Sequence, residues 1–206
     1  MRPPWFSVGS QQDCSEFLKY LLDQLHESEL AEMRALQVPK DKQLTVIEKS
    51  FGGKLVDGIT CKNCWKTSYR SEMFTDLPLS FGDLFEESDN REALNLENMV
   101  DKYFAAESLE GDNKYQCENC KKLQDAERKP RVVSAPEYLI LTLLRFSFNP
   151  KTLKRSKIFT NVGCPRVLYV PICEKISAGW EQRYEEYVLC GVVFHSGWSS
   201  DSGHYY

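Results

Sequence analysis

Two Cys-x-x-C pairs, Cys61/Cys64 and Cys117/Cys120, are the residues whose type and spacing specify chemistry most directly. Such a pair forms a tight knuckle that aims two thiolates at one point, and two knuckles supply the four ligands of a tetrahedral structural zinc site. With every position filled by protein, none is left for a catalytic water, so the metal would hold structure together and do no chemistry. Both pairs carry Asn before the second cysteine, in CKNC and CENC, with Lys and Glu nearby to keep the knuckles solvated. Two unrelated thiol pairs, or a redox motif, are the alternatives for the same residues. The interval from Cys64 to Cys117 is longer than a simple finger needs, so a strand–loop–helix segment must lie between the knuckles. The other four cysteines (Cys14, Cys164, Cys173 and Cys190) lack paired spacing and are expected to be buried thiols.

The chain has three histidines. His26 falls near the end of the first expected helix, where a structural role is the plainer reading. His195 and His204 lie in YVLCGVVFHSGWSSDSGHYY, a strand, a Gly/Ser-rich turn and the start of a second strand, with Gly203 permitting a close backbone approach. A histidine read alone is more often structural than catalytic. Cys14 would sit in the first turn of a helix, where the positive end of the dipole can lower a thiol pKa, so a Cys14–His204 pair is one conceivable catalytic couple.

These residues need elements to hold them. Asp13 followed by Glu16 gives a capping-box-like start for a helix whose Phe17, Leu18, Leu21, Leu22 and Leu25 share one face. That stripe is expected to want cover. Strands are expected at 45–47, 54–59, 67–74, 126–133, 138–146 and 157–162, and a helix over 94–104. The run 187–195, apolar throughout, reads as a central strand. Helices early and an antiparallel sheet late define an α+β class.

Composition narrows the function. The 206 residues carry 26 Lys+Arg against 30 Asp+Glu, a net charge of −4, with 42% hydrophobic and 27% charged residues. This is an ordinary globular composition with no basic stripe for nucleic acid. No apolar stretch approaches the roughly 20 residues of a membrane span, so no membrane partner is expected. The amino terminus shows no secretory core, and the cysteine pairs therefore read as metal ligands in a cytoplasmic and/or nuclear protein.

Taken in order, several blocks resemble the catalytic domain of the ubiquitin-specific proteases, cysteine-type deubiquitinases. They are Gln11-Gln12-Asp13-Cys14-Ser15-Glu16-Phe17-Leu18, Phe51-Gly52-Gly53, Phe74-Thr75-Asp76-Leu77-Pro78-Leu79, Glu110 to Cys117, Leu143-Leu144-Arg145-Phe146, and Gly191 to Gly197 with Gly203-His204-Tyr205-Tyr206. The resemblance implies a papain-like hand of thumb, zinc-bearing fingers and palm. Residues 1–43 would be a remnant of the thumb, 44–60 the entry to palm and fingers, 61–130 the fingers, and 131–206 the palm with the histidine block. It implies ubiquitin and ubiquitinated proteins as partners, one structural zinc on Cys61, Cys64, Cys117 and Cys120, and His204 as the catalytic histidine. Gln12, Asp13 and Tyr205 match positions along the channel for ubiquitin's tail, and His195 matches a structural neighbour.

The same resemblance implies a departure. None of the eight cysteines matches the family's Asn-Thr-Cys-Tyr-type nucleophile block, and no Asp or Asn follows His204 to orient its ring. The expectation is a partial single domain, inactive by itself. A non-catalytic ubiquitin-binding or zinc-dependent interaction module is the alternative.

Overall fold

Asp13 begins the first helix. In the computed structural model, which describes residues 11–82, 94–149, 154–199 and 202–206, its Oδ1 accepts from the N–H groups of Ser15 (2.8 Å) and Glu16 (3.1 Å). This caps helix α1 (Cys14–Ala35). Residues 1–10, read above for a leader, and 200–201 of the histidine segment lie outside the described residues. The apolar stripe of α1 divides: Leu22 is buried and Leu18 half-buried, while Phe17, Leu21 and Leu25 are exposed.

The run 45–47, expected as a strand, instead opens helix α2 (Val46–Phe51). Thr45 Oγ1 accepts from the Glu48 N–H at 3.1 Å, and the Glu48 carboxylate accepts from the Thr45 N–H at 3.0 Å. Two helix-end donors satisfied reciprocally outweigh the β preference of three residues. Thr45 is fully buried, and His26 Nδ1 lies 2.9 Å from its hydroxyl, so His26 ties α1 to α2.

Strands β1 (Gly53–Cys61), β2 (Thr67–Phe74), β3 (Asp76–Leu79) and β4 (Leu94–Asn95) lead to helix α3 (Leu96–Phe104). Then come β5 (Glu107–Leu109), β6 (Tyr115–Cys117), β7 (Lys122–Gln124) and β8 (Ala126–Ser134). β9 (Ile140–Leu143), β10 (Phe146–Asn149), β11 (Lys154–Lys157) and β12 (Val162–Gly163) follow. β13 (Val167–Ile176) and β14 (Gly179–Val188) precede a closing hairpin, β15 (His195–Ser199) and β16 (Ser202–Tyr205).

The α+β class stands, and the sheet is mixed where an antiparallel one was expected. Among the described residues its order is β14-β13-β8-β1-β2, with β5 also on β8. β13 meets β8 in parallel, as β3 meets β9, and the remaining neighbours in the main sheet are antiparallel. The long connection from β8 to β13 is what a parallel neighbour requires. Leu96, Met99, Val100 and Phe104 recur at helical spacing and form the buried face of α3. They pack on Leu55, Leu77, Leu79, Val132, Leu168, Val170 and Ile172 of the strands, each such side chain contributing about 1.5–3 kcal/mol of burial. Lys19 of α1 reaches Asp76 at 3.1 Å, and Thr142 donates to the same carboxylate oxygen at 3.0 Å, docking α1 on the β3–β9 pair.

Three strand expectations change. The run 138–146 divides into β9 and β10, and 157–162 leaves a non-strand stretch between β11 and β12. There the Arg145 guanidinium donates to the carbonyls of Ile158 (3.1 Å) and Thr160 (2.8 Å), taking the place of a backbone ladder. The run 187–195 is not a central strand. β14 ends at Val188 on the outer edge of the sheet, and residues 189–194 form no strand, with Val193 62% and Phe194 55% exposed. Apolarity signals a demand for cover and does not say what meets it.

Candidate functional site

The turn between β1 and β2 and the turn between β6 and β7 face one another, and each presents one Cys-x-x-C pair. The knuckles are built alike. The Cys61 carbonyl accepts from the Trp65 N–H (2.9 Å) and the Cys117 carbonyl from the Lys121 N–H (2.8 Å). Trp65 (φ 60°) and Lys121 (φ 56°), each just after a second cysteine, take the left-handed conformation that closes the turn. The asparagines cross between knuckles: Asn63 Nδ2 donates to Cys120 Sγ at 3.3 Å, and Asn119 Oδ1 accepts from Lys66 Nζ at 2.7 Å.

All four sulfurs lie within 4.8 Å of one another, with Cys61–Cys120 at 4.0 Å and Cys64–Cys117 at 3.7 Å. Four thiolates around one zinc, at about 2.3 Å each, stand about 3.8 Å apart, so the cluster fits a tetrahedral ion. Asn63 stabilises the charged Cys120 sulfur, yet desolvation and the three neighbouring sulfurs push that thiol up to about 11. Such a site binds metal only as thiolates, so binding at Cys120 displaces a proton.

The second cluster forms at the closing hairpin. His195 stands opposite Tyr205, and Ser196 opposite His204. Successive strand residues alternate in direction, so His204 and Tyr205 project from opposite faces. The Tyr205 hydroxyl donates to Asp13 Oδ2 at 3.2 Å, closing the hairpin onto the start of α1. Burial pushes the Asp13 carboxyl up, but hydrogen bonds from Ser15, Glu16 and Tyr205 outweigh it and hold that carboxyl below its ordinary range. Burial, with the negative charge of Asp13, pushes the Tyr205 phenol up to about 12, so it stays a donor. The structure thus joins Asp13 to Tyr205, with Gln12, half-buried, next to Asp13 in the chain, and leaves His204 exposed on the hairpin.

It does not bring sulfur to imidazole. Among the described residues no cysteine sulfur hydrogen-bonds to a histidine nitrogen. Burial and the adjacent Asp13 carboxylate push the Cys14 thiol up, opposite to what a nucleophile needs and to the effect expected of the helix dipole. Cys173 is buried as expected, whereas Cys164 and Cys190 are exposed, because both stand outside the strands flanking them.

Gly203 shows why the hairpin needs glycine. Its φ is +154°, and a Cβ there would run into His195 Nε2 and the Ser196 carbonyl. Gly203→Ala should destabilise the fold by about 1–3 kcal/mol and separate Tyr205 from Asp13. Denaturant unfolding checks the first effect and nuclear magnetic resonance shifts of Tyr205 the second. An unchanged midpoint would contradict the close approach.

The sequence profile described as ubiquitin carboxyl-terminal hydrolase matches residues 1–206. The chain belongs to the ubiquitin carboxyl-terminal hydrolase family. It is 27% identical to ubiquitin carboxyl-terminal hydrolase 35 of Homo sapiens, over 98% of this chain and 35% of that protein. It is 30% identical to ubiquitin carboxyl-terminal hydrolase 25 of Arabidopsis thaliana, over 98% of this chain and 28% of that protein. With ubiquitin carboxyl-terminal hydrolase 13 of Saccharomyces cerevisiae the identity is 34%, over 97% and 26% respectively. The chain therefore spans about a quarter to a third of these curated relatives. Its fold is similar to that of a SAGA DUB module bound to ubiquitin aldehyde, with TM-score 0.72 and 25% identity over 95% of this chain and 41% of that one.

Proposed function

We propose that these residues are the finger, palm and partial thumb portion of a cysteine-type deubiquitinase, which removes ubiquitin from protein conjugates. The observation that carries this reading is the family match along the entire chain, on a fold similar to a DUB module bound to ubiquitin aldehyde. In this reading Cys61, Cys64, Cys117 and Cys120 hold one zinc, which stiffens the paired turns and takes no part in the reaction. Residues 1–43, 44–60, 61–130 and 131–206 serve as thumb, entry, fingers and palm. Gln12, Asp13 and Tyr205 line the path of ubiquitin's carboxyl-terminal tail, where the Asp13 carboxylate can accept from a backbone N–H. His204 accepts a proton from a nucleophilic thiol and returns it to the leaving amine. We place that thiol outside these residues, since none of the eight cysteines matches the family's nucleophile block and none of the described sulfurs hydrogen-bonds to an imidazole. A cytoplasmic or nuclear setting suits a cluster that needs reduced cysteines.

The test is His204→Ala in the full-length natural protein, assayed on a fluorogenic ubiquitin conjugate. Loss of a triad member should lower kcat by about 10³-fold or more, with ubiquitin binding retained. A rate unaffected by the substitution would overturn the assignment.

The absence of a sulfur–imidazole pair among the described residues favours a second reading for this polypeptide taken alone, a ubiquitin-binding module without turnover.

A further inference from the structure

Lys157, the last residue of β11, donates to three acceptors of the histidine hairpin. Its ammonium lies 2.9 Å from His195 Nδ1, 3.0 Å from the His195 carbonyl and 2.7 Å from the Gly197 carbonyl. An ammonium has three N–H donors, so all of them are committed to this hairpin. We propose that Lys157 is a positioning residue for the hydrolysis: by holding the His195 ring and the Gly197 carbonyl, it fixes the hairpin that presents His204 and Tyr205. This role rests on the deubiquitinase reading above.

Each bond has a distinct effect. Lysine can only donate, so His195 Nδ1 must accept and the ring proton must sit on Nε2. Nε2 is the atom that a Cβ on Gly203 would strike, so the ring is the floor beneath Gly203. The same ring lies 4.7 Å from the Tyr205 ring and meets Phe146 edge-on at 5.5 Å. His195 therefore supports the residues on both sides of His204. The Gly197 carbonyl sits where the register of β15 and β16 shifts, between Ser196 and Ser199. A cross-strand ladder is interrupted there, and the Lys157 ammonium supplies the missing partner. Burial and the Lys157 charge lower the pKa of His195 against the opposing pull of Asp13, which keeps the ring neutral and able to accept.

The experiment pairs two readouts. In the full-length natural protein, Lys157→Met should lower kcat on a fluorogenic ubiquitin conjugate by about ten- to a hundredfold, the cost of a misplaced catalytic group. KM should rise by less than kcat falls, because His204 and Tyr205 share the hairpin while the other two proposed tail contacts, Gln12 and Asp13, lie at the start of α1. Lys157→Arg, which keeps a cation and donors, should recover part of kcat. In the 206-residue polypeptide, nitrogen NMR should find His195 in the Nε2–H tautomer, and Lys157→Met should turn it into a mixture. An Nδ1–H tautomer in the unsubstituted chain overturns the proposal, as does a folded Lys157→Met protein with unchanged kcat. The tautomer readout needs no variant, so it decides the clamp even where the methionine variant does not fold. Should the unsubstituted full-length protein hydrolyse no ubiquitin conjugate, the deubiquitinase reading fails, and the tautomer still tests the clamp separately.

Discussion

Cys117→Ser should strip one zinc from the protein and unfold the paired turns that carry it. Structural zinc contributes about 10–16 kcal/mol in isolated finger peptides, and a chain with its own core depends on it less. The core around α3 is built from residues outside the knuckles, so the sheet should survive in part. A loss of about 5 kcal/mol would lower the melting temperature by roughly 10–20 °C in a domain of this size. Elemental analysis should give one zinc per folded unsubstituted chain and none in the variant. Metal-free folded protein with an unchanged melting temperature would remove the assignment. Uptake should release protons, because the crowded sulfurs, with Cys120 pushed up to about 11, bind metal only as thiolates.

The second large effect is a separation of binding from turnover. The 206-residue polypeptide should bind ubiquitin yet fail to hydrolyse a fluorogenic conjugate, and an electrophilic ubiquitin probe should leave it unmodified. The reason lies in the sulfurs. Four are committed to the cluster, the thiols of Cys14 and Cys173 are pushed up by burial, and no sulfur pairs with an imidazole among the described residues. A thiol without a base is protonated at neutral pH and attacks slowly. Removing a nucleophile while keeping the rest of a triad leaves small residual catalysis at best. Mass spectrometry of the probe reaction checks this directly. A covalent adduct on Cys14 would promote Cys14 to nucleophile and overturn the reading.

The four-cysteine cluster was legible in the sequence because both members of each pair are local and their chemistry depends on spacing. The hairpin was half legible. Gly203 announced a close approach, but the partner it approaches, His195 Nε2, is set by a cross-strand register that no short motif encodes. Lys157 gave no signal at all, since it sits among basic residues in KTLKRSK and acts through tertiary contacts. Thr45 misled because β-branched neighbours obscured a capping box that Glu48 completes. The run 187–195 misled for a different reason. Its apolarity was read as burial within a sheet, while β14 lies at that sheet's edge.

The pairing of Cys61 with Ala126 in the β1–β8 ladder bears on the order in which the protein assembles. Cys64 and Cys117 are 53 positions apart. Closing a loop of that size in an unfolded chain costs about 4 kcal/mol of chain entropy, a heavy charge on an ion that must find four sulfurs at once. Once β1 and β8 have zipped, the end of β1 already lies next to the strand that follows the second knuckle. The second pair then meets the first at a high effective concentration, and the remaining search is local. The ladder thus acts as a template: hydrogen bonds along β1 and β8 perform the long-range closure, and capture of the proposed zinc would be a late, nearly unimolecular locking event.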